Sequence, residues 1–354
     1  ADAYGHGAVP VSRALSDLGA DYLAVSNLEE AVQIRRGEVR LPILILGYTP
    51  AEFAANMIFL DITQEVHSLA YAQELNDALA GTNYILNVHL KLDTGMTRIG
   101  FFAYDNEQTL DELKQVAALP HLHIEGVFMH FCVADSRSEA DTAFTKLQFR
   151  RFTDMLSAMA GAGIRPDIRH CCNSGATILY PEFALDMVRP GIITYGNAPS
   201  KELEGAISLR PMMSLHSMIA QVRTVPAGTD VSYGRLYRTV RDTRVAVLPI
   251  GYADGLSRLL TGKAEFYLNG KMVPVIGRIC MDMCMLDVTN VPDARPGDTV
   301  TVFGYDADGT LVPCERLAQA QGTINYELLC QISKRIPRIC HRGAETSQIL
   351  QYIV

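Results

Sequence analysis

The sequence predicts an α/β protein: an N-terminal (β/α)8 TIM-type barrel over residues 1–207, then a mainly β domain over residues 208–354. Three observations predict it. Short apolar runs alternate with amphipathic stretches through the first half, the rhythm of parallel strands joined by crossover helices. Past "RPGIITYG" that rhythm stops and strand-like segments follow one another almost without helices. The length of 354 residues exceeds one ordinary domain and suits a large domain with a smaller companion.

The elements follow in order. "ADAYGHG" reads as a loop, "VPVSRALSDLGA" as a helix, "DYLAV" as a strand, "LEEAVQIRRG" as a helix and "LPILILGY" as a strand. "MIFLDI", "YILNVHLKL", "HIEGVFMHF", "DIRHCCN" and "ALDMVRP" read as buried strands, with "NEQTLDELKQVAALP" and "TKLQFRRFTDMLSAMAGAG" as helices between them. That makes seven strands where a barrel needs eight, and the first visible element is a helix. The missing strand is therefore expected before Ala1, with "ADAYGHG" as its exit loop facing the active site. In the second domain "SLHSMIAQVRTV", "RVAVLPIGY", "AEFYLNGKMVPVIG", "CMLDVTNV" and "DTVTVFGY" read as strands, and the Asn-Gly of "NGK" suits a type I′ hairpin turn.

Composition narrows the function. Lys and Arg total 31 against 39 Asp and Glu, and a net charge of −8 offers no footprint for nucleic acid or an anionic membrane. A small-molecule partner is expected. No apolar run approaches the ~18 residues that span a bilayer. The eight cysteines lack paired zinc-type spacing and read as reduced core thiols of a cytoplasmic enzyme, with no metal expected.

In a barrel, catalytic groups sit where strands end. "KLDTGMTR", "MHFCVAD", "CCNSGAT" and "VRPGI" all fall at such ends and converge on one mouth. The last two occupy the loops where this fold tends to hold a phosphate, with the Ser174 hydroxyl and the backbone N–H groups of Gly191 and Ile192 as donors. Arg189 would be buried and needs a partner: either a structural ion pair inside the barrel or a ligand, with His130 and Asn173 as supports. A metal-dependent barrel enzyme, with His130, Asp93 and cysteines as ligands, lacks a convincing set.

"ADAYGHG", "KLDTGMTRIG", "MHFCVAD", "NSGAT", "MVRPGIITYG", "VSYG", "PIGYADG", "GRICMD" and "INYE" together resemble the alanine racemase family, in that family's order and across almost the whole chain. The resemblance implies pyridoxal 5'-phosphate as cofactor, bound through a lysine directly before "ADAYGHG". That lysine would precede Ala1, and it is expected to be left out of these residues rather than truncated away. A fragment truly lacking it would bind cofactor and racemise almost nothing.

Further roles come from the resemblance alone. Racemisation takes a proton from one face of the α carbon and returns one to the other, so two bases are needed: the lysine, and Tyr233 from the partner subunit of a homodimer. A phenol loses its proton near about pH 10, so neighbouring positive charge must help. Arg189 would face the cofactor's pyridine nitrogen and leave it unprotonated, since guanidinium keeps its proton, and His130 would support it. Arg98 would approach the cofactor's phenolic oxygen and the substrate carboxylate, held by Lys91, a position often carbamylated. The N–H of Met281 would also take the carboxylate. Tyr4, Ser174, Gly191, Ile192 and Tyr326 would cradle the phosphate, and Asp135, Tyr252, Arg258, Arg278 and Ile324 would line a narrow entry corridor. The implied activity is conversion of L-alanine to D-alanine for peptidoglycan precursors. The alternatives are a serine racemase domain of a glycopeptide-resistance-type membrane fusion, another racemase or decarboxylase on the same cofactor, and a non-catalytic cofactor-binding protein.

Overall fold

A computed structural model of the chain describes residues 1–104, 106–343 and 345–351. The chain divides into two compact units, one of Ala1 with Ala8–Leu209, the other of Asp2–Gly7 with Arg210–Val354.

The first unit is a parallel sheet covered by helices. It runs α1 (Ala8–Asp17), β1 (Leu23–Val25), α2 (Leu28–Arg36), β2 (Ile43–Ile45), α3 (Ala54–Phe59), β3 (Ile62–Val66), α4 (Leu69–Ala78), β4 (Leu86–Asp93), β5 (Phe101–Phe102), α5 (Asn106–Ala117), β6 (Leu122–Phe128), α6 (Glu139–Gly161), β7 (Ile168–His170) and α7 (Ser174–Leu179). Strands β1, β2, β3, β4, β6 and β7 pair in that order, all parallel, the TIM-like half-barrel expected of a (β/α)8 chain. Strands β2, β3 and most of β4 are buried on both faces, as continuous apolar strands require. Local chemistry starts the helices: Asn27, Ser68 and Ser138 each accept a bond from a first-turn N–H of α2, α4 and α6. Gly37 ends α2 where a Cβ would meet Val9 Cγ1 at 2.5 Å.

Two strand assignments are corrected. "MIFLDI" is not one strand: Met57 to Phe59 end α3, and β3 starts only at Ile62. Ala54 and Met57 are buried while Phe59 is 70 % exposed, a three-residue burial period that belongs to a helix. "ALDMVRP" forms no full strand but a single parallel bridge, His170 to Met187. The ladder still continues through Asp186 N–H to Arg169 O at 3.1 Å and Arg189 N–H to Cys172 O at 2.8 Å. The Asp186 carboxylate meanwhile pairs with the Arg169 guanidinium at 2.6 Å, and Pro190 removes the next donor.

The second unit holds β8 (Leu215–Met218), β9 (Gln221–Val225), β10 (Asp230–Val231), β11 (Tyr237–Arg238), β12 (Thr243–Leu248), β13 (Glu265–Leu268), β14 (Lys271–Ile276), β15 (Cys284–Asp287), β16 (Thr299–Tyr305), β17 (Leu311–Val312), helices α8 (Cys314–Gln321) and α9 (Asn325–Cys330), and the hairpin β18 (Arg338–Arg342) with β19 (Glu345–Leu350). Its main sheet is antiparallel in the order β17, β16, β13, β14, β15, β12, β9, with β8 on β16. Strands β8 and β9 adjoin in sequence yet pair with β16 and β12 respectively, so the sheet curls round. The β13–β14 turn has Asn269 at φ 47° and Gly270 at φ 82°, the left-handed pair that Asn-Gly was expected to supply.

Residues Asp2–Gly7, expected with the barrel, pack in this second unit. Asp2, Ala3 and Tyr4 all have φ between 50° and 54°, a left-handed turn that L residues adopt only when their surroundings hold it. Arg338 is part of that hold: its Nε donates to Gly5 O at 3.0 Å, while its other nitrogens donate to the carbonyls of Ile332, Ser333 and Ile336. None of the eight cysteines forms a disulfide; Cys171, Cys172, Cys284 and Cys314 are buried and Cys330 is exposed, so the thiols are not all core residues. Among the described residues no helix is long and apolar enough to cross a membrane.

Candidate active site

In the first unit the polar ends of β4, β6 and β7 meet the segment after the Met187 bridge. Arg189 is the centre. Its Nη1 donates to His170 Nδ1 at 2.6 Å, and its Nη2 donates to Met129 O at 2.7 Å and Cys171 O at 3.2 Å. His130 Nδ1 lies 3.5 Å from Nη2, a marginal contact. The nearer imidazole is His170, which sequence reasoning did not single out. The guanidinium rests over Phe128, 5.3 Å from the ring centroid. Burial lowers its pKa to about 10, so it stays a cation at neutral pH. Nε makes no hydrogen bond among the described residues, which leaves one N–H of a tightly held donor for an incoming acceptor.

Lys91 is 5 % exposed, with Nζ 4.5 Å from the centroid of the same Phe128 ring. Burial first, then the charges of Arg189 and Arg98, lower its pKa to about 7. The same three causes, with Lys91 added, take His130 to about 2, so its imidazole is neutral. Arg98 is exposed, on the loop after β4 that Asp93 shapes by accepting the N–H groups of Gly95 and Thr97 at 2.9 and 3.0 Å. Arg189 and Arg98 thus stand close enough to Lys91 and His130 to lower the pKa of both.

Beside them lies the loop pair expected to hold a phosphate. Asn173 caps α7, its Oδ1 accepting Ala176 N–H at 3.0 Å and its Nδ2 donating to Phe131 O at 3.3 Å. It shapes the helix start and does not touch Arg189. Ser174 Oγ accepts the Gly191 N–H at 2.9 Å, which joins the two loops, and Ile192 is fully buried at the start of a short 3-10 turn to Tyr195. Gly175 has no room for a side chain, since a Cβ would stand 2.9 Å from Asp135 N and Cβ. Asp135 lines that approach, its carboxyl raised in pKa by burial.

The remaining residues belong to the second unit. Tyr233 is 70 % exposed, in a turn where Ser232, Gly234 and Arg235 all have positive φ. Arg278 closes over Gly234, where a Cβ would lie 2.9 Å from its Nη1, and its carbonyl accepts Ser232 Oγ at 2.7 Å. The turn Tyr252–Asp254 is laid on Cys280–Met281: Tyr252 N–H donates to Cys280 O at 3.1 Å and Ala253 N–H to Met281 O at 3.0 Å. Arg335 bridges Asp254 and Asp282 at 2.6 and 2.7 Å and locks the two motifs together. Arg258 begins another 3-10 turn, and Ile324, 61 % exposed, precedes α9. The rings of Tyr4 and Tyr326 lie 5.8 Å apart, and burial raises the pKa of Tyr4.

Comparison with known proteins shows the family. Residues 1–199 match the family described as "Alanine racemase, N-terminal domain" and residues 212–340 match "Alanine racemase, C-terminal domain". A relative from Desulfovibrio desulfuricans named alanine racemase is 47 % identical over 339 residues, 96 % of this chain and 89 % of its own. One from Clostridium novyi is 40 % identical over 100 % of this chain and 90 % of its own. Among solved structures, the Clostridium difficile alanine racemase superposes with a TM-score of 0.92 at 39 % identity, covering 100 % of this chain and 90 % of that one. The Bacillus anthracis enzyme with bound L-Ala-P gives 0.93 at 34 %, covering 99 % and 89 %. By these matches the chain belongs to the alanine racemase family of isomerases.

Proposed function

We propose that this chain racemises alanine with pyridoxal 5'-phosphate, as a cytoplasmic homodimer whose active site takes Tyr233 and Met281 from the partner. The observation that carries the reading is Arg189, a half-buried cation with both terminal nitrogens committed and, among the described residues, Nε left over. That donor set fits a pyridine nitrogen, because guanidinium offers a hydrogen bond and keeps its proton. When bound, the cofactor supplies an electron sink for the bond broken at the substrate's α carbon.

Ser174, Gly191 and Ile192, with Tyr4 and Tyr326, would hold its phosphate. Arg98 and the Met281 N–H would orient the substrate carboxylate, with Lys91 holding Arg98. Tyr233 Oη would take or return the α proton on one face. The opposite face needs a second base, the lysine that the family resemblance implies directly before Ala1. Asp135, Tyr252, Arg258, Arg278 and Ile324 would narrow the entry to a small amino acid. His130, neutral at physiological pH, adds no competing charge near Arg189.

The test gives L- and D-forms of alanine and serine to the cofactor-loaded protein expressed from its full reading frame, with chiral analysis of the products. Faster racemisation of alanine than of serine is expected. Serine turning over faster overturns the substrate choice, and cofactor binding without turnover overturns catalysis.

A further inference from the structure

Arg189 is half-buried, with its guanidinium turned inward onto His170, Met129 and Cys171, and no carboxylate touches it among the described residues. A cation drawn out of water without a counter-charge is costly. The structure supplies one indirectly. His170 Nε2 lies 2.8 Å from His89 Nδ1, and His89 Nε2 lies 3.1 Å from Glu125 Oε2. Both rings are fully buried, while Glu125 is 24 % exposed and also accepts Tyr22 Oη at 2.9 Å and Thr63 Oγ1 at 3.1 Å. Four polar side chains thus cross the unit's interior in one line: Arg189, His170, His89, Glu125.

The donors along this line have only one consistent arrangement. Guanidinium can only donate, so His170 Nδ1 must accept and its proton sits on Nε2. That N–H donates to His89 Nδ1, so the His89 proton is also on Nε2 and donates to the Glu125 carboxylate. Each ring is neutral and each tautomer is set from both ends. Burial, with Arg189 beside it, holds His170 well below its ordinary pKa, and the bond from His89 holds Glu125 ionised.

The backbone is shaped for this line. Register between β4 and β6 runs Val88 with Ile124, then His89 with Gly126, so Glu125 is the extra residue of a β-bulge. A bulge re-aims a side chain that the two-residue alternation would send elsewhere. Gly126 makes the space, since a Cβ there would lie 2.5 to 2.6 Å from three atoms of the His89 ring.

We propose that Glu125 is a positioning residue for the racemisation reaction, acting through His89 and His170 as the remote counter-charge that fixes Arg189 as an oriented donor. This rests on the reading of Arg189 as the group facing the cofactor ring. Glu125→Leu removes both acceptor and charge, whereas Glu125→Gln keeps an acceptor oxygen for His89, Tyr22 and Thr63 and loses only the charge.

The test combines 15N NMR of ring-labelled histidine with steady-state kinetics on alanine in the cofactor-loaded enzyme. Wild type should show two buried histidines protonated on Nε2. Glu125→Leu should lose that pattern for His89 and lower kcat about 10- to 100-fold, the usual range for partners one layer out, with KM within twofold. Glu125→Gln should keep the pattern and still lose at least about threefold in kcat. Should the Leu variant fail to fold, the Gln variant decides. Wild-type kcat in Glu125→Gln, or an unchanged Nε2–H pattern in a folded Glu125→Leu, overturns the proposal. Absence of racemisation in the wild type counts against the functional reading instead, and the NMR arm still judges the relay.

Discussion

Lys91 should capture carbon dioxide. Its amine is buried beside Arg189 and Arg98, and its pKa falls from 10.5 to about 7. At pH 7.5 roughly three-quarters of such amines are neutral, against roughly one in a thousand for an unperturbed lysine, a gain of several hundredfold in reactive amine. A neutral amine adds CO2 to give an N-carboxylate and release one proton. The product also suits the site, because it replaces a cation held among guanidinium groups by an anion. Protein equilibrated with 13C-bicarbonate should show one carbamate carbon that rises between about pH 6 and 8 and is absent from Lys91→Met. A signal only above about pH 9.5, as an ordinary lysine gives, or none that depends on Lys91, refutes the reasoning. Stability carries the same sign. The folded pKa is lowered, so the folded state binds fewer protons than the unfolded one between about pH 7 and 10.5, and stability gained above that window is lost as pH falls through it. Lys91→Met should lack this dependence.

Three further outcomes follow from the second unit. Tyr233→Phe should slow α-proton exchange from one enantiomer by about 10²- to 10⁴-fold and the other far less, and equal losses would count against a two-base scheme. Gly251→Ala puts a Cβ 2.3 Å from Cys280 O and 2.4 Å from Met281 O, backbone atoms that cannot swing aside, so KM for alanine should rise about tenfold with a smaller change in kcat; an unchanged KM rejects a role for Met281 in binding. Arg338→Met removes a charged donor whose bonds are each worth about 1.5–3 kcal/mol. Amide exchange across Asp2–Gly7 should then quicken at least about tenfold by mass spectrometry, and unchanged exchange would show that the left-handed turn holds itself.

The sequence made legible whatever depends on near neighbours. Asn27 and Gly37 bracket α2, and Asn269-Gly270 dictates a hairpin, because caps and turns are decided within a few residues. "MIFLDI" misled because an apolar run of six does not reveal its period, and only the burial of Ala54 and Met57 marks it as helix. That Arg189 would need partners was readable from its place at a strand end. That one partner is His170 was not, since the contact spans 19 residues and depends on how β7 abuts the Met187 bridge. Glu125 was hidden more deeply: in "HIEGVFMHF" strict alternation assigns it a face, and only the bulge opposite Val88 and His89 changes that assignment. The adjoining Gly126, inside a strand, was the one available signal of such a bulge.

Remoteness is also what gives the carboxylate its use. A carboxylate set directly on Arg189 would compete for the uncommitted Nε and offset the cation where an acceptor is meant to arrive. Two imidazoles in between hold the negative charge away from the mouth and still leave the half-buried guanidinium with hydrogen bonds on both terminal nitrogens. The same separation is in keeping with a chain of net charge −8 that keeps Arg189 and Arg98 near Lys91. Surface carboxylates more than about 8 Å away are screened by physiological salt, so the charges that count at Lys91 are the near ones, Arg189 and Arg98 against the buried carboxylates Glu65 and Asp93. Because burial and the two cations outweigh those carboxylates in lowering the Lys91 pKa, neutralising the more distant Glu125 should weaken Arg189 as a donor while leaving the Lys91 pKa in place.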